Sequence, residues 1–237
     1  MKLRFNGDST PSGVINIDVN QLIIAGWTGR DRQAILHHIS ELEALGVPRP
    51  GAVPLFYRVA ANQLSQEESI EVVGNDTSGE AEPFIFTHQG ELYVSLASDH
   101  TDRQLETYSV AMSKQVCIKP VARQAWAMKE VAAHWDSLIL RSWIREQGEW
   151  TLYQQGTLAS LRTPMDLLER YVAGSALVEG GLTLPQIPAD GLAMTCGTLS
   201  AIGGIRPASE FRMELVDETL GRCISHQYRS IALPVVA

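Results

Sequence analysis

Four short apolar runs follow one another in the first hundred residues: "VPLFYRVA" (53–60), "SIEVVG" (69–74), "EPFIFT" (82–87) and "ELYVSLAS" (91–98). Runs of this length, rich in Val, Ile, Phe and Tyr and separated by turn-forming residues, predict strands. The pattern returns near the C-terminus in "DGLAMTCGTLSAIGG" and "EFRMELVDETLGRCISHQY". Between these strand-rich parts lie a few helical segments. In "DRQAILHHISELEAL" (31–45), Ile35, Ile39 and Leu42 fall on one stripe, with His38 at its edge and His37 opposite, and Gly46 as the stop. "LRTPMDLLERYVAG" (161–174) has Thr163 as N-cap, Pro164 at the first position and Asp166 in the first turn. "RQAWAMKEVAAHWDSLILRSWIRE" (123–146) reads as a longer helix with an irregular start. Dominant strands with few segregated helices predict an α+β fold.

At 237 residues the chain has room for one large domain or two small ones. It contains no tandem repeat and no clear linker, so a single domain over 1–237 is expected. A composition that is 45% hydrophobic and 19% charged is that of a globular chain. The net charge of −8 leaves no excess of Lys and Arg to neutralise phosphates, which argues against a general nucleic-acid binder. The opening "MKLRFNGDSTPSG" lacks the apolar core of a secretory signal, and "QLIIAGW" is too short to span a bilayer. Cys117, Cys196 and Cys223 are widely spaced with no CxxC, which suggests reduced thiols and a cytoplasmic protein without membrane contact. Cys117 and Cys196 read as small buried hydrophobes.

The stretch "TSGEAEPFIF" places Glu80 and Glu82 at the mouth of an apolar run. Residues i and i+2 of a strand point the same way, so the two carboxylates share a face and repel unless a cation or solvent receives them. "SDHTDR" arrives at the end of the next apolar run and can bring Asp99 beside them, with His100 and Asp102 competing as a third ligand. Carboxylate oxygens from several strands make a hard-cation site with positions left for substrate. The plain alternative keeps the glutamates on a wet strand edge and "DHTD" in a solvated turn. His38 and Glu41 are three apart on a helix, where a carboxylate can orient an imidazole as a general base; a surface contact explains the same spacing. Lys114 in "SKQVCIKP" closes a strand-like segment and could balance negative charge near a metal, or be solvated.

Taken in order, these motifs resemble the fumarylacetoacetate hydrolase superfamily over roughly residues 28 to 230: "HISE", "VPLFYR", "GEAEP", "DHTDR", "SKQVCIKP" and "DGLAMTCGTLSAIGG". More narrowly, "AGWTGRDR", "SDHTDR", "SKQ" and "RSWI" resemble bacterial proteins that carry the domain of unknown function 2848. The resemblance implies a strand-rich mixed-sheet fold with peripheral helices and a lid-like segment at 28–60 before a core at 61–237. It implies metal ligands at Glu80, Glu82 and Asp99, for Mg²⁺ or Mn²⁺, with Ca²⁺ as a crystal substitute. His38, Glu41 and Lys114 take catalytic places, and Arg58, Thr101, Arg103 and Thr198 substrate-binding ones. The sequence departs from the family where "F-x-K-P" becomes "FYRVA", where Gln104 replaces an Asp, and in a shorter interval between Asp99 and Lys114.

The activity so implied is on a small 2-oxo acid or β-dicarbonyl compound through a metal-stabilised enolate. Carbon–carbon bond hydrolysis comes first; decarboxylation, hydration and tautomerisation pass through the same enolate, and a non-catalytic acid- or metal-binding relative is the alternative. A homodimer is implied by the same resemblance. "TCGTLSAIGGI" lacks the Lys-Ser/Thr of a phosphate loop and reads as a tight turn. "YQQG" (153–156) either faces the pocket or bonds within a turn. Trp126, Trp135, Trp143 and Trp150 read as core or interface.

Overall fold

A computed structural model describes residues 1–7, 13–44, 49–179 and 186–236; the side chains of His38, Glu41, Leu42, Ala44 and of residues 175–179 lie outside the described part. Strands β1 (Lys2–Asn6) and β2 (Val14–Asp18) form an antiparallel hairpin. Next come β3 (Gln21–Gly26), helix α1 (Arg32–Ala44), β4 (Leu55–Val59), β5 (Leu64–Ser65), β6 (Ser69–Val73), β7 (Thr77–Ser78), β8 (Ala81–His88) and β9 (Glu91–Ser98). The middle of the chain supplies β10 (Thr101–Asp102), α2 (Arg103–Glu106), α3 (Val110–Gln115), β11 (Lys119–Pro120), β12 (Trp126–Ala127), α4 (Met128–Val131), β13 (Ile139–Glu146) and β14 (Glu149–Thr157). Helix α5 (Pro164–Glu179) and strands β15 (Leu192–Thr195), β16 (Glu210–Asp217) and β17 (Arg222–Leu233) complete it.

Two mixed sheets carry the architecture. The first runs β12-β9-β8-β15-β3-β4, with β3 and β15 parallel; the second runs β14-β13-β16-β17-β6, with β17 and β6 parallel. This is the strand-rich α+β fold expected from the sequence. Strands β3 and β8 are apolar on both faces because both faces are covered. Ile23, Ala25, Ala81 and Ile85 enter a large core shared with Leu140, Ile144 and Leu215 of the second sheet and Leu167 and Leu168 of α5. Leu22, Ile24, Phe84 and Phe86 enter a smaller core closed by Leu3, Phe5, Ile15 and Ile17 of the hairpin. Phe86 stacks between Phe5 at 4.5 Å and Tyr93 at 5.4 Å.

Helix α5 starts as its sequence dictates: Thr163 Oγ1 accepts from the Asp166 amide at 3.3 Å, and Asp166 ion-pairs with Arg162 and Arg170. Helix α1 covers most of the predicted span, with Ile35 and Ile39 buried; Gly46 and Pro48 lie outside the described residues. The long helix predicted over 123–146 is a correction. That stretch holds a short strand, one turn of α-helix, a 3₁₀ segment (Ala132–Ser137) and the whole of β13. In β13 Leu140, Ser142 and Ile144 point inward. The alternate position Trp143 is apolar too, roofed by Arg141 and Arg212 at 5.5 and 5.0 Å, which hides the two-residue period from a pattern reading. Trp126 and Trp135 are core residues.

Candidate metal centre

The acidic site grows from the β8–β9 ladder, in which Ala81 pairs with Ser98 and Glu82 with Ala97. The ladder runs one step further, the Asp99 amide donating to the Glu80 carbonyl at 2.9 Å. Glu80 and Glu82 therefore share a face with Asp99, the continuation of the Phe84 and Phe86 face beyond the last apolar residue. One carboxylate oxygen from each of the three lies within 4.8 Å of the others. Gly79 permits this entry to the strand, since a Cβ there would stand 2.5 Å from Tyr228 Oη and 2.8 Å from the Phe211 ring.

The other "DHTD" residues have different work. Asp102 caps α2, its Oδ1 accepting from the Leu105 amide at 2.8 Å. Buried His100 meets Tyr228 Oη through Nδ1 at 2.9 Å. Burial, then the positive charges of Lys119 and Arg103, push its pKa down to about 3, so the ring is neutral. Thr101 is fully buried, and its hydroxyl donates to the Asp99 carbonyl at 2.9 Å.

Three cations face the carboxylates. The Arg103 guanidinium spans Glu80 at 3.1 Å and Glu106 at 2.8 Å, and its Nε donates to Ser78 Oγ at 2.7 Å. Lys114 ion-pairs with Asp99 Oδ2. It sits on α3, capped by Ser109, and not on the strand-like segment predicted: the Ala, Met, Lys and Gln of "VAMSKQ", together with that N-cap serine, favour a helix. Lys119, unread as a site residue in the sequence, is fully buried with Nζ 2.9 Å from Asp99 Oδ1 and 2.5 Å from the His100 carbonyl. Burial works to raise the Asp99 pKa, but the two ammonium groups outweigh it and hold the carboxyl well below the usual range.

Glu82 is the exception. It is buried and makes no ion pair among the described residues; its Oε2 accepts from the Gly197 amide at 2.8 Å. Burial first, then the charges of Asp99 and Glu80, push its pKa up to about 8. The donor set fits a hard divalent cation: three converging carboxylates, one of them still short of positive charge. Gly197 reaches Glu82 because it has φ +90° and no side chain; a Cβ would lie 1.7 Å from Thr28 Oγ1.

Gln154 ties the site's two sides together. Its Oε1 accepts from the Ala81 amide (3.0 Å) and Ser142 Oγ (2.7 Å), while Nε2 donates to Thr198 Oγ1 (2.6 Å) and the Leu199 carbonyl (2.7 Å). The Thr198 hydroxyl in turn donates to the Ala81 carbonyl at 2.7 Å. "YQQG" thus lies in strand β14, not a turn, and nothing in that largely polar stretch marks Gln154 out before its partners are known.

Arg58, expected beside the substrate, makes its contact elsewhere. Side chains alternate on β4, and Tyr57 takes the acidic side with its ring 5.8 Å from Lys114 Nζ. Arg58 is turned to the opposite face, where Nη1 donates to Tyr171 Oη at 3.2 Å. His38 and Glu41 both lie on α1; their side chains are outside the described residues. Cys117 and Cys196 are buried, and burial raises both thiol pKa values.

The fold recurs in solved structures. Cg1458 superposes with a TM-score of 0.61 at 12% identity, covering 94% of this chain and 81% of that one. 2-Keto-3-deoxy-D-arabinonate dehydratase, in its complex with magnesium and 2,5-dioxopentanoate, gives 0.60 at 14% identity, covering 95% and 79%. An Escherichia coli protein provisionally designated an isomerase gives 0.55 at 14% identity, covering 89% and 92%. No curated protein matches the sequence. The model of a family described as protein of unknown function (DUF2848) matches residues 25–228.

Proposed function

The chain belongs to the DUF2848 family of proteins of unknown function, and from that premise and the acidic site we propose a divalent-metal-dependent enzyme acting on a small 2-oxo acid or β-dicarbonyl compound. We place it in the fumarylacetoacetate hydrolase superfamily. The observation that carries the reading is the convergence of Glu80, Glu82 and Asp99 within 4.8 Å, with Glu82 lacking a cation. These three residues would hold Mg²⁺ or Mn²⁺. When bound, the ion would supply a Lewis acid for the carboxylate and keto oxygens of the substrate and for the negative charge that grows on the keto oxygen.

The protein's own residues divide the remaining work. Arg103, braced by Glu80, Glu106 and Ser78, fixes one wall and contributes positive charge. Lys114 carries an ammonium to the substrate side of Asp99, placed to balance charge developing there. To His38, with Glu41 three residues further along α1, we assign the general-base role of activating a water. Thr198 is held by Gln154 at the edge of the site, where one lone pair of its hydroxyl remains for a substrate group.

Carbon–carbon hydrolysis is the first reading of the reaction. Dehydration is the second, favoured by the fold shared with a 2-keto-3-deoxy sugar-acid dehydratase. Titration calorimetry with Mn²⁺ and Mg²⁺, followed by turnover of acylpyruvates, oxaloacetate and 2-keto-3-deoxy sugar acids, tests both. Metal binding lost in Glu80→Gln, with turnover lost but metal binding kept in His38→Ala, is the expected pattern. Failure of wild-type protein to bind either metal refutes the proposal.

A further inference from the structure

Lys119 touches the acidic site but has no part in the steps above. It is fully buried on β11, which is fixed by parallel pairing with β5 and by the Ala97–Val121 bridge to β9. Its Nζ takes Asp99 Oδ1 and the His100 carbonyl, while Lys114 takes the other oxygen of the same carboxylate. Each ammonium thus has its own oxygen, and Lys119 has no access to solvent or substrate. Burying an ion pair is often no better for stability than an apolar side chain of similar size, so stability is a poor reason for a lysine here.

The charges around the site supply a better one. With all four carboxylates ionised, as a bound cation requires, Glu80, Glu82, Asp99 and Glu106 stand against three cations (Arg103, Lys114 and Lys119), which leaves one net negative charge before the ion's own is added. A divalent ion turns that into one net positive charge; without Lys119 the loaded site would be neutral. Charges this deep are weakly screened, so the difference reaches any ligand that enters.

We propose that Lys119 is a specificity-determining residue: a fixed positive charge that weakens cation binding at the acidic site and keeps the loaded site positive, so that it accepts a small carboxylate anion. This rests on the metal role proposed above. A unit charge within a few ångströms changes an ionic equilibrium by roughly ten- to thousandfold, which sets the scale.

The test is titration calorimetry on folded, full-length protein, first with Mn²⁺ and then with oxalate on the Mn²⁺-loaded form. In Lys119→Met, Mn²⁺ should bind about tenfold or more tightly and oxalate about tenfold or more weakly. Glu106→Gln, a half-buried change on the far side of Arg103, should do the reverse with smaller amplitude, and it decides the matter alone if Lys119→Met fails to fold. A merely structural lysine would weaken both ligands together, and that result, or unchanged affinities in both variants, overturns the proposal. Wild-type protein that binds no Mn²⁺ removes the metal reading itself. Wild-type binding combined with same-direction shifts in the variants removes this inference and leaves the metal reading standing.

Discussion

In the metal-free protein the Glu82 side chain should set a pH-dependent penalty on stability, because it is buried without a cation. Its pKa rises from 4.5 to about 8 on folding. Between those values the folded protein holds a proton that the unfolded chain has released. The stability contribution is therefore fully present below pH 4.5 and is lost as pH rises through about 8. The slope is about 1.4 kcal/mol per pH unit, so crossing the window costs several kcal/mol. Asp99 titrates below this window, whereas His100, neutral in the fold and protonated in the unfolded chain up to pH 6.5, opposes the slope in its lower half by an amount common to wild type and variant. Urea unfolding of wild type and Glu82→Gln in EDTA, at intervals from pH 5 to 8.5, isolates the effect, since histidines elsewhere cancel in the difference. Glu82→Gln should become the more stable of the two towards pH 8, and saturating Mn²⁺ should stabilise wild type more at pH 8 than at pH 6. Parallel pH profiles for the two proteins would refute the reasoning, because they would mean that Glu82 is solvated or already paired.

Three further outcomes follow from the site's construction. Gly197→Ala should lower stability by roughly 2–4 kcal/mol, read from urea midpoints, since its Cβ would enter Thr28 at a positive φ; a change below about 1 kcal/mol would show that the Glu82 loop can shift freely. Gln154→Leu strips partners from the Ala81 amide, Ser142 and Thr198, so about 2–4 kcal/mol is expected, together with weaker Mn²⁺ binding as the start of β8 loosens. Full stability in that variant would mean water replaces the amide. Arg58→Ala should leave KM for any substrate found within about twofold, because strand alternation turns Arg58 from the carboxylates; a KM increase of tenfold or more would place it at the substrate after all.

Local rules brought out much of this protein. The apolar runs at 82–87 and 91–98 became β8 and β9, and "RTPMD" specified the start of α5 through a hydroxyl cap and a proline that needs no hydrogen-bond donor. The i, i+2 spacing of Glu80 and Glu82 placed them on one face before any partner was known. In β13 an inward Ser142 and an outward Trp143 break that same period, and the strand does not stand out from the sequence.

Tertiary structure decided what those carboxylates meet. Lys119 lies 20 residues along from Asp99 in a short "IKP" segment that carries no periodic signal; its burial comes from pairing with β5 and bridging to β9. Gln154 and Gly197 matter because β14 and the loop after β15 both arrive at the first residues of β8. Sequence alone reports which way a side chain leaves its own strand, a matter of backbone geometry over two or three residues. Which charge lies within 3 Å of it, and how little water remains between them, depends on the packing of segments separated by tens of residues, and on that packing the electrostatics of this site rest.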